Sequence, residues 1–236
     1  MLINMKEVGF MITYEEIKND EEIKILIETV ERQLVELGYT EHGLRHVCLV
    51  AERASTILRE LGYSERECEL AKIAGYAHDI GNAVNRNDHA HTGAYIAYNL
   101  LKERGMDLKE AAEIMMAIGN HDEGTGTAVS PISAALILAD KSDVHRTRVR
   151  SGNKSRFDIH DRVNYAVEEA KIEVVDAPNG FHNCKKEVIL RLKIDTEICP
   201  VIKYFEIFLQ RMLMCKNAAS YLGIWFHLEI NGSTLL

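Results

Sequence analysis

The sequence predicts a mainly α protein: a helical bundle over residues 1–150, followed by a small α+β segment over residues 151–236. Three observations carry this. Apolar residues recur at helical spacing up to about residue 150, in runs closed by glycines. Helix-opening residues (Ser, Thr or Asp, with Glu three positions on) stand where those runs begin. After residue 151 the pattern turns to apolar–polar alternation, the period of a half-buried strand.

Each element follows in order. Over residues 14–37, Ile17, Ile23, Ile25, Leu26, Val30 and Leu34 lie close to one helical stripe that Gly38 ends. Thr40 can cap a second helix, about residues 41–61, stopped by Gly62. Ser64 and Glu67 form a capping-box pattern for the helix that runs into "AHDIG". Residues 89–103 make the next helix, and Asp107 with Glu110 repeat the box for the one ending in "AIGNH". Ser130 as N-cap and Pro131 at the first helical position open a helix expected to carry on through "LADKSDVHRTRVR". "SGNKSRFD" reads as a loop, and a short helix covers about residues 159–171. "KIEVVDA" and "KEVILRLKID" read as strands separated by the turn-rich "PNGFHN"; a helix over about residues 200–222 and the strand "IWFHLEING" complete a β-β-α-β order. Three strands make a thin sheet that needs covering, and the apolar face of the last helix should cover it. This segment is expected to govern assembly, including a homo-oligomer, or substrate access, and not the chemical step.

Composition sets the outer bounds. The chain has 236 residues, 47% of them hydrophobic, enough for one large domain or a medium one with a small addition. No apolar run approaches the roughly 20 residues that span a bilayer, and no signal-peptide pattern is read at the N-terminus. Five scattered cysteines, none in a C-x-x-C pair, suit reduced thiols in a cytoplasmic protein and argue against a disulfide framework or a zinc ribbon. A net charge of −8 disfavours an extended nucleic-acid groove. It leaves room for small phosphorylated substrates, because bound metal ions reverse the field of an acidic site.

Polar residues fall at telling places in the helical half. His46 lies in the first turns of one helix, and His78 and Asp79 stand together at the end of another. His89 starts the next, His121 follows the last turn of "AAEIMMAIGN", and Asp140 interrupts the apolar run of "AALILADKSD". Taken singly, each is most simply a solvated or hydrogen-bonded residue. Taken together, the order H…HD…H…H…D can gather imidazoles and carboxylates into one cavity of a bundle. That mixture suits Fe, Mn, Co or Zn. Adjacent His and Asp cannot both point along one helix radius, so the doublet can serve two metals or supply one ligand and one bridging carboxylate. Two metals about 3.5–4 Å apart can clamp a phosphate.

At these residues the sequence resembles the HD superfamily of metal-dependent phosphohydrolases. The pattern H…HD…D is matched by His46, His78-Asp79 and Asp140, in the contexts "HGLRHV", "AGYAHDIG" and "LADKSD". The resemblance covers about residues 40–150. His89 in "HAHTGA" and His121 in "AIGNHDEG" resemble the added histidines of the dinuclear branches, with His91 as the competitor of His89. The Gly-Tyr-Pro of the cyclic-di-GMP branch is absent, Asn82 stands where a Lys commonly follows "HDIG", and the acids of the (p)ppGpp-hydrolysing branch are missing.

The resemblance implies an HD-type helical bundle with two divalent transition-metal ions held by His46, His78, Asp79, His89, His121 and Asp140. It implies hydrolysis of a phosphate ester or anhydride in a nucleotide or other small phosphorylated molecule, through metal-activated water. Asp79 would bridge or orient the nucleophile. Two rivals stand beside this: a non-catalytic sensor of nucleotide or metal, and a dinuclear-iron oxygenase of the same fold.

The basic run after Asp140 is the candidate substrate contact. If the helix continues, Lys141, His145 and Arg148 share a stripe near the mouth of a cavity floored by Asp140. Lys141, next to a ligand, is the better candidate, as a catalytic and substrate-binding cation. Arg148 is balanced against a plain helix-terminal charge, and Arg150 reads as the latter. Asp122 and Glu123 read as solvated loop acids, with a role beside His121 as the alternative. His160, His182 and His227 read as structural.

Overall fold

The structure, a computed structural model, describes residues 11–150, 159–177 and 185–235. The loop "SGNKSRFD" and the turn "PNGFHN", with His182, lie outside the described residues.

The first predicted helix is two. Helix α1 (Tyr14–Asn19) ends at Asp20, whose extended backbone and side chain cap α2 (Glu21–Leu37) by accepting from the Ile23 N–H. Arg104 grips the same carboxylate through two hydrogen bonds of 2.7 Å, so the break is anchored from across the fold. Helix α3 (Leu44–Glu60) starts after Gly43 with no side-chain cap. Thr40 does not cap it; its carbonyl instead accepts from His42 Nδ1 at 2.7 Å. Helix α4 (Glu65–Ala77) opens on the reciprocal Ser64–Glu67 box. A 3-10 turn (Ile80–Ala83) leads to α5 (His89–Glu103). Helix α6 (Leu108–Gly119) is capped by Asp107, but Glu110 does not return the bond, because Arg66 takes its carboxylate.

Helix α7 (Pro131–Lys141) starts as expected on Ser130 and Pro131 and stops earlier than expected. Residues 142–145 leave the helix, and Arg146–Arg148 form a separate 3-10 turn. Asp143 turns inward to His46, and His145 is extended at φ −159° with Nε2 on the Glu168 carbonyl. Lys141, His145 and Arg148 therefore do not share a helical stripe.

In the second half, α8 (Ile159–Ala166) passes directly into β1 (Val167–Asp176). The helix expected to reach residue 171 stops short because β1 pairs along its length with antiparallel β2 (Lys186–Ile194). Helix α9 (Val201–Tyr221) crosses over to β3 (Trp225–Ile230), which lies parallel to β2. A two-residue β4 (Ser233–Thr234) adds an edge the sequence did not announce, being too short to show a period. The sheet order is β1-β2-β3-β4.

The two halves share one core. Leu136 and Leu138 of α7 belong to the same buried cluster as Phe208, Met212 and Cys215 of α9, Val188 and Leu190 of β2, and Phe226 and Leu228 of β3. Helix α9 packs on both α7 and β3. Among the described residues no helix is long and apolar enough to cross a membrane.

Two glycines set the distances that matter next. A Cβ on Gly75 would lie 2.7 Å from Ala51 Cα, and one on Gly81 would lie 1.9 Å from the His89 carbonyl oxygen. Their bare backbones let α4 close on α3 and the 3-10 turn close on α5, which draws the His78-Asp79 doublet between His46 and His89.

Candidate metal centre

The structure brings His46, His78, Asp79, His89, His121 and Asp140 together from five places in the chain. The two oxygens of Asp79 face different histidine pairs. Oδ2 lies 3.6 Å from His46 Nε2 and 3.3 Å from His78 Nε2, while Oδ1 lies 3.5 Å from His89 Nε2 and 3.9 Å from His121 Nε2. Asp140 Oδ1 joins the first pair, 3.4 Å from His46 and 3.7 Å from His78. His91, the competitor of His89, faces solvent beside Asp88, whereas His89 is buried in the cluster.

Every imidazole presents Nε2 to the cluster because Nδ1 is tied behind it. His46 Nδ1 donates to Asp143 Oδ2 at 2.7 Å, and His78 Nδ1 to the Gly75 carbonyl at 2.8 Å. His89 Nδ1 donates to the Arg86 carbonyl at 3.1 Å, and His121 Nδ1 to the Ile118 carbonyl at 2.6 Å. Three of these carbonyls lie three residues before the histidine at a helix end or turn, which the local backbone supplies without help. Such bonds fix the tautomer and leave a lone pair at Nε2, the arrangement of a metal-ligating histidine. Asn82 donates to both the Asp79 carbonyl and its Oδ1 at 3.0 Å, so this residue orients the carboxylate.

The cluster fits divalent metal. His46 Nε2, His78 Nε2 and Asp79 Oδ2 are buried and have no hydrogen-bond partner. Orphaned polar atoms of this kind are costly unless something binds them. The facing atoms stand at 3.3–3.9 Å, too far for good hydrogen bonds and close to the spacing of ligands that share an ion about 2.1 Å from each. Two overlapping groups, His46–His78–Asp140 and His78–Asp79–His121, have ligand atoms mutually close enough to hold one. Electrostatics agree. Burial alone would push the His78 imidazole down, but Asp79 and Asp140 outweigh it and hold it up at about 10. Burial likewise opposes ionisation of those two carboxylates, yet His78, and Lys141 beside Asp140, keep both well below the usual range. Burial drives His121 down to about 3, helped by His78 and Lys141, so it stands neutral. The site demands positive charge and offers nitrogen and oxygen donors for it.

Around the cluster the structure sorts the other candidates. Lys141 is buried, with Nζ 2.8 Å from Asp140 Oδ2 and 2.5 Å from Glu123 Oε2. Arg148 is also buried. Its guanidinium donates to the Asp143 carbonyl at 2.8 Å and the Glu41 carbonyl at 3.0 Å, and it lies 3.8 Å from the carboxylate that holds His46. Arg150 pairs with Glu31 on the outside of the fold.

His42, Arg86, Asp143 and Arg211 at the site were not singled out from the sequence, in which Glu123 reads chiefly as a solvated loop acid. His42 and Asp143 stand four and three residues from a ligand, a spacing that could have flagged them, though both lie just outside the helices that carry those ligands. Arg86, Glu123 and Arg211 line both the inner space at the ligands and an outer cavity of about 510 Å³, whose walls also include Tyr39, His160 and Phe208. Arg211 comes from α9, and no sequence signal ties it to the ligands; it brings the C-terminal segment to the cavity, while the six clustered residues all come from the helical half.

Asp143→Asn keeps an acceptor for His46 but removes the charge behind it. It should weaken metal binding by about tenfold, measured by chelator competition with thermal unfolding as a check on the fold. Unchanged affinity would show that His46 does not depend on that carboxylate.

Residues 43–147, which include all six clustered residues, match the HD domain family. Over those residues the chain carries an HD domain. HD domains bind divalent metals, in keeping with the cluster above. The chain is similar to an uncharacterized protein, MJ1020, of Methanocaldococcus jannaschii: 29% identical over 76% of this chain and 75% of that one. Ribonuclease Y of Enterococcus faecalis is 32% identical over 56% of this chain, and that of Oceanobacillus iheyensis 31% identical over 53%. These matches span only 24% and 22% of the ribonucleases' own lengths. A crystal structure of a predicted HD superfamily hydrolase from an uncultured Thermotogales bacterium is 28% identical, covering 52% of this chain and 67% of that one, with a TM-score of 0.42.

Proposed function

We propose that this HD protein is a metal-dependent phosphohydrolase that cleaves a phosphate ester or anhydride in a nucleotide or another small phosphorylated molecule. The observation that carries the reading is the division of Asp79, one oxygen toward His46 and His78 and the other toward His89 and His121. Two ions bound there would draw ligands from His46, His78 and Asp140 on one side and from His89 and His121 on the other, with Asp79 available to both. Divalent ions, when bound, polarise phosphoryl oxygens and lower the pKa of coordinated water. The chain's own residues do the rest. Asn82 and the tied Nδ1 atoms keep the ligands oriented, Lys141 places a buried cation beside Asp140 to offset charge on a phosphoryl oxygen, and the cluster's burial keeps bulk water out. The outer cavity of about 510 Å³ is the size of ordinary small-ligand pockets. The ribonuclease Y relatives are named for acting on RNA, which supports nucleotide chemistry in general.

The test is metal content and turnover together. Protein purified without chelators should carry close to two transition-metal ions per chain and release phosphate or a nucleotide from a panel of esters with Mn²⁺ or Fe²⁺. Oxygen uptake by the iron form without any phosphoryl release would favour the oxygenase reading, and ligand binding without turnover the sensor.

A further inference from the structure

Glu123 sits where an anion is wanted. It follows His121 by two residues, in the stretch between α6 and α7, and its carboxylate bridges two cations from distant parts of the chain. Oε2 lies 2.5 Å from Lys141 Nζ and Oε1 lies 2.7 Å from Arg211 Nε. Lys141 is locked on its other side by Asp140, and the Arg211 guanidinium lies 4.6 Å from the centre of the Phe208 ring, which holds its plane. Arg86 lines the same cavity and donates to Asn82 Oδ1 at 3.2 Å. Two fixed cations thus meet at the Glu123 carboxylate, and Lys141 is shared with Asp140. Glu123 and Arg211 keep about a quarter of their side-chain surface open (25% and 24%), so a ligand in the outer cavity reaches both.

We propose that Lys141 and Arg211 form a seat for a phosphoryl group of the substrate, and that Glu123 fills this seat until the phosphate displaces it. A phosphate dianion matches two cations better than a carboxylate does, and the planar guanidinium can take two of its oxygens at once. The ligand class is a phosphomonoester or a nucleoside phosphate with a dianionic terminus. The seat contains one residue of the HD domain and one of α9, so α9 supplies part of the substrate site. The inference rests on the phosphohydrolase reading for its substrate, and the experiment keeps the two apart.

Inorganic phosphate is titrated calorimetrically into the full-length Mn²⁺-loaded protein, with metal content measured for each variant. Glu123→Gln removes the occupant's charge and should tighten phosphate binding about tenfold. Arg211→Gln should weaken it about 10- to 100-fold, the worth of a charge-assisted hydrogen bond, and Arg211→Lys should fall between. In the Glu123→Gln/Arg211→Gln double variant the gain from the first change should vanish. Should Arg211→Gln fail to fold, Glu123→Gln and Arg211→Lys still decide. Phosphate affinity that is unchanged or weaker in Glu123→Gln overturns the seat. So does a gain that survives loss of Arg211, and so does a fall in kcat without change in phosphate affinity, which would make Glu123 a proton donor. If the wild type turns over esters but Glu123→Gln gains nothing, the seat falls and the phosphohydrolase reading stands. If the predicted order of affinities holds but no ester is cleaved, the seat stands and that reading falls.

Discussion

Asp79→Ala is expected to leave the protein with little bound divalent metal and to slow phosphoester hydrolysis by at least about a thousandfold, while helical circular dichroism stays near wild type. The rate figure follows from the several kcal/mol of transition-state charge stabilisation that bound metal supplies, at about 1.4 kcal/mol per factor of ten. Of the two carboxylates in the cluster, Asp79 is the one that faces both histidine pairs, so its loss removes the anion shared by His46 and His78 with His89 and His121. The fold should survive because the carboxylate's contacts are the cluster itself and Asn82, and the apolar core lies around them. The readouts are elemental analysis and turnover of a generic phosphate ester. Full metal retention would mean that the two sides of the cluster hold their ions independently of Asp79.

A chain ending at Asn153 is expected to be insoluble or largely unfolded. From the sequence alone such a chain, if soluble, is expected to bind metal and keep some hydrolysis; the shared core makes its solubility the point at issue. Removing the C-terminal half would expose the α7 face now packed against α9, whose Phe208, Met212 and Cys215 are all fully buried. Each large apolar side chain contributes about 1.5–3 kcal/mol on burial, so a few of them equal the whole stability of an ordinary domain. The check is expression and sedimentation of the shortened chain. A soluble, cooperatively melting product would show that the helical half closes on its own.

Local signals were legible and distant ones were not. Ser64 with Glu67, and Ser130 with Pro131, open helices where expected, because a cap is decided by residues within one turn. The order of imidazoles and carboxylates also led to residues that the structure places together. Asp20, in contrast, breaks a continuous apolar stripe because Arg104, far along the chain, holds its carboxylate. The early end of α7 depends on Asp143 turning toward His46, a tertiary contact that no helical period records. Glu123 resembles any loop acid until Lys141 and Arg211 are seen on either side of it.

The crossover of α9 between the parallel strands β2 and β3 has a bearing on how the cavity responds to what enters it. A helix pinned at both ends to one sheet behaves as a strut, and Arg211 sits at its midpoint. Glu123 is braced differently: residues 120–130 between α6 and α7 hold neither helix nor strand, and its backbone sits in a turn closed by the Gly126 N–H on the Asp122 carbonyl at 2.8 Å. A guest molecule therefore meets one rigid jaw and one compliant jaw. Fit to guests of different bulk falls to the compliant side, so residues 122–126 are where changes in selectivity should accumulate without disturbing the ligands beneath.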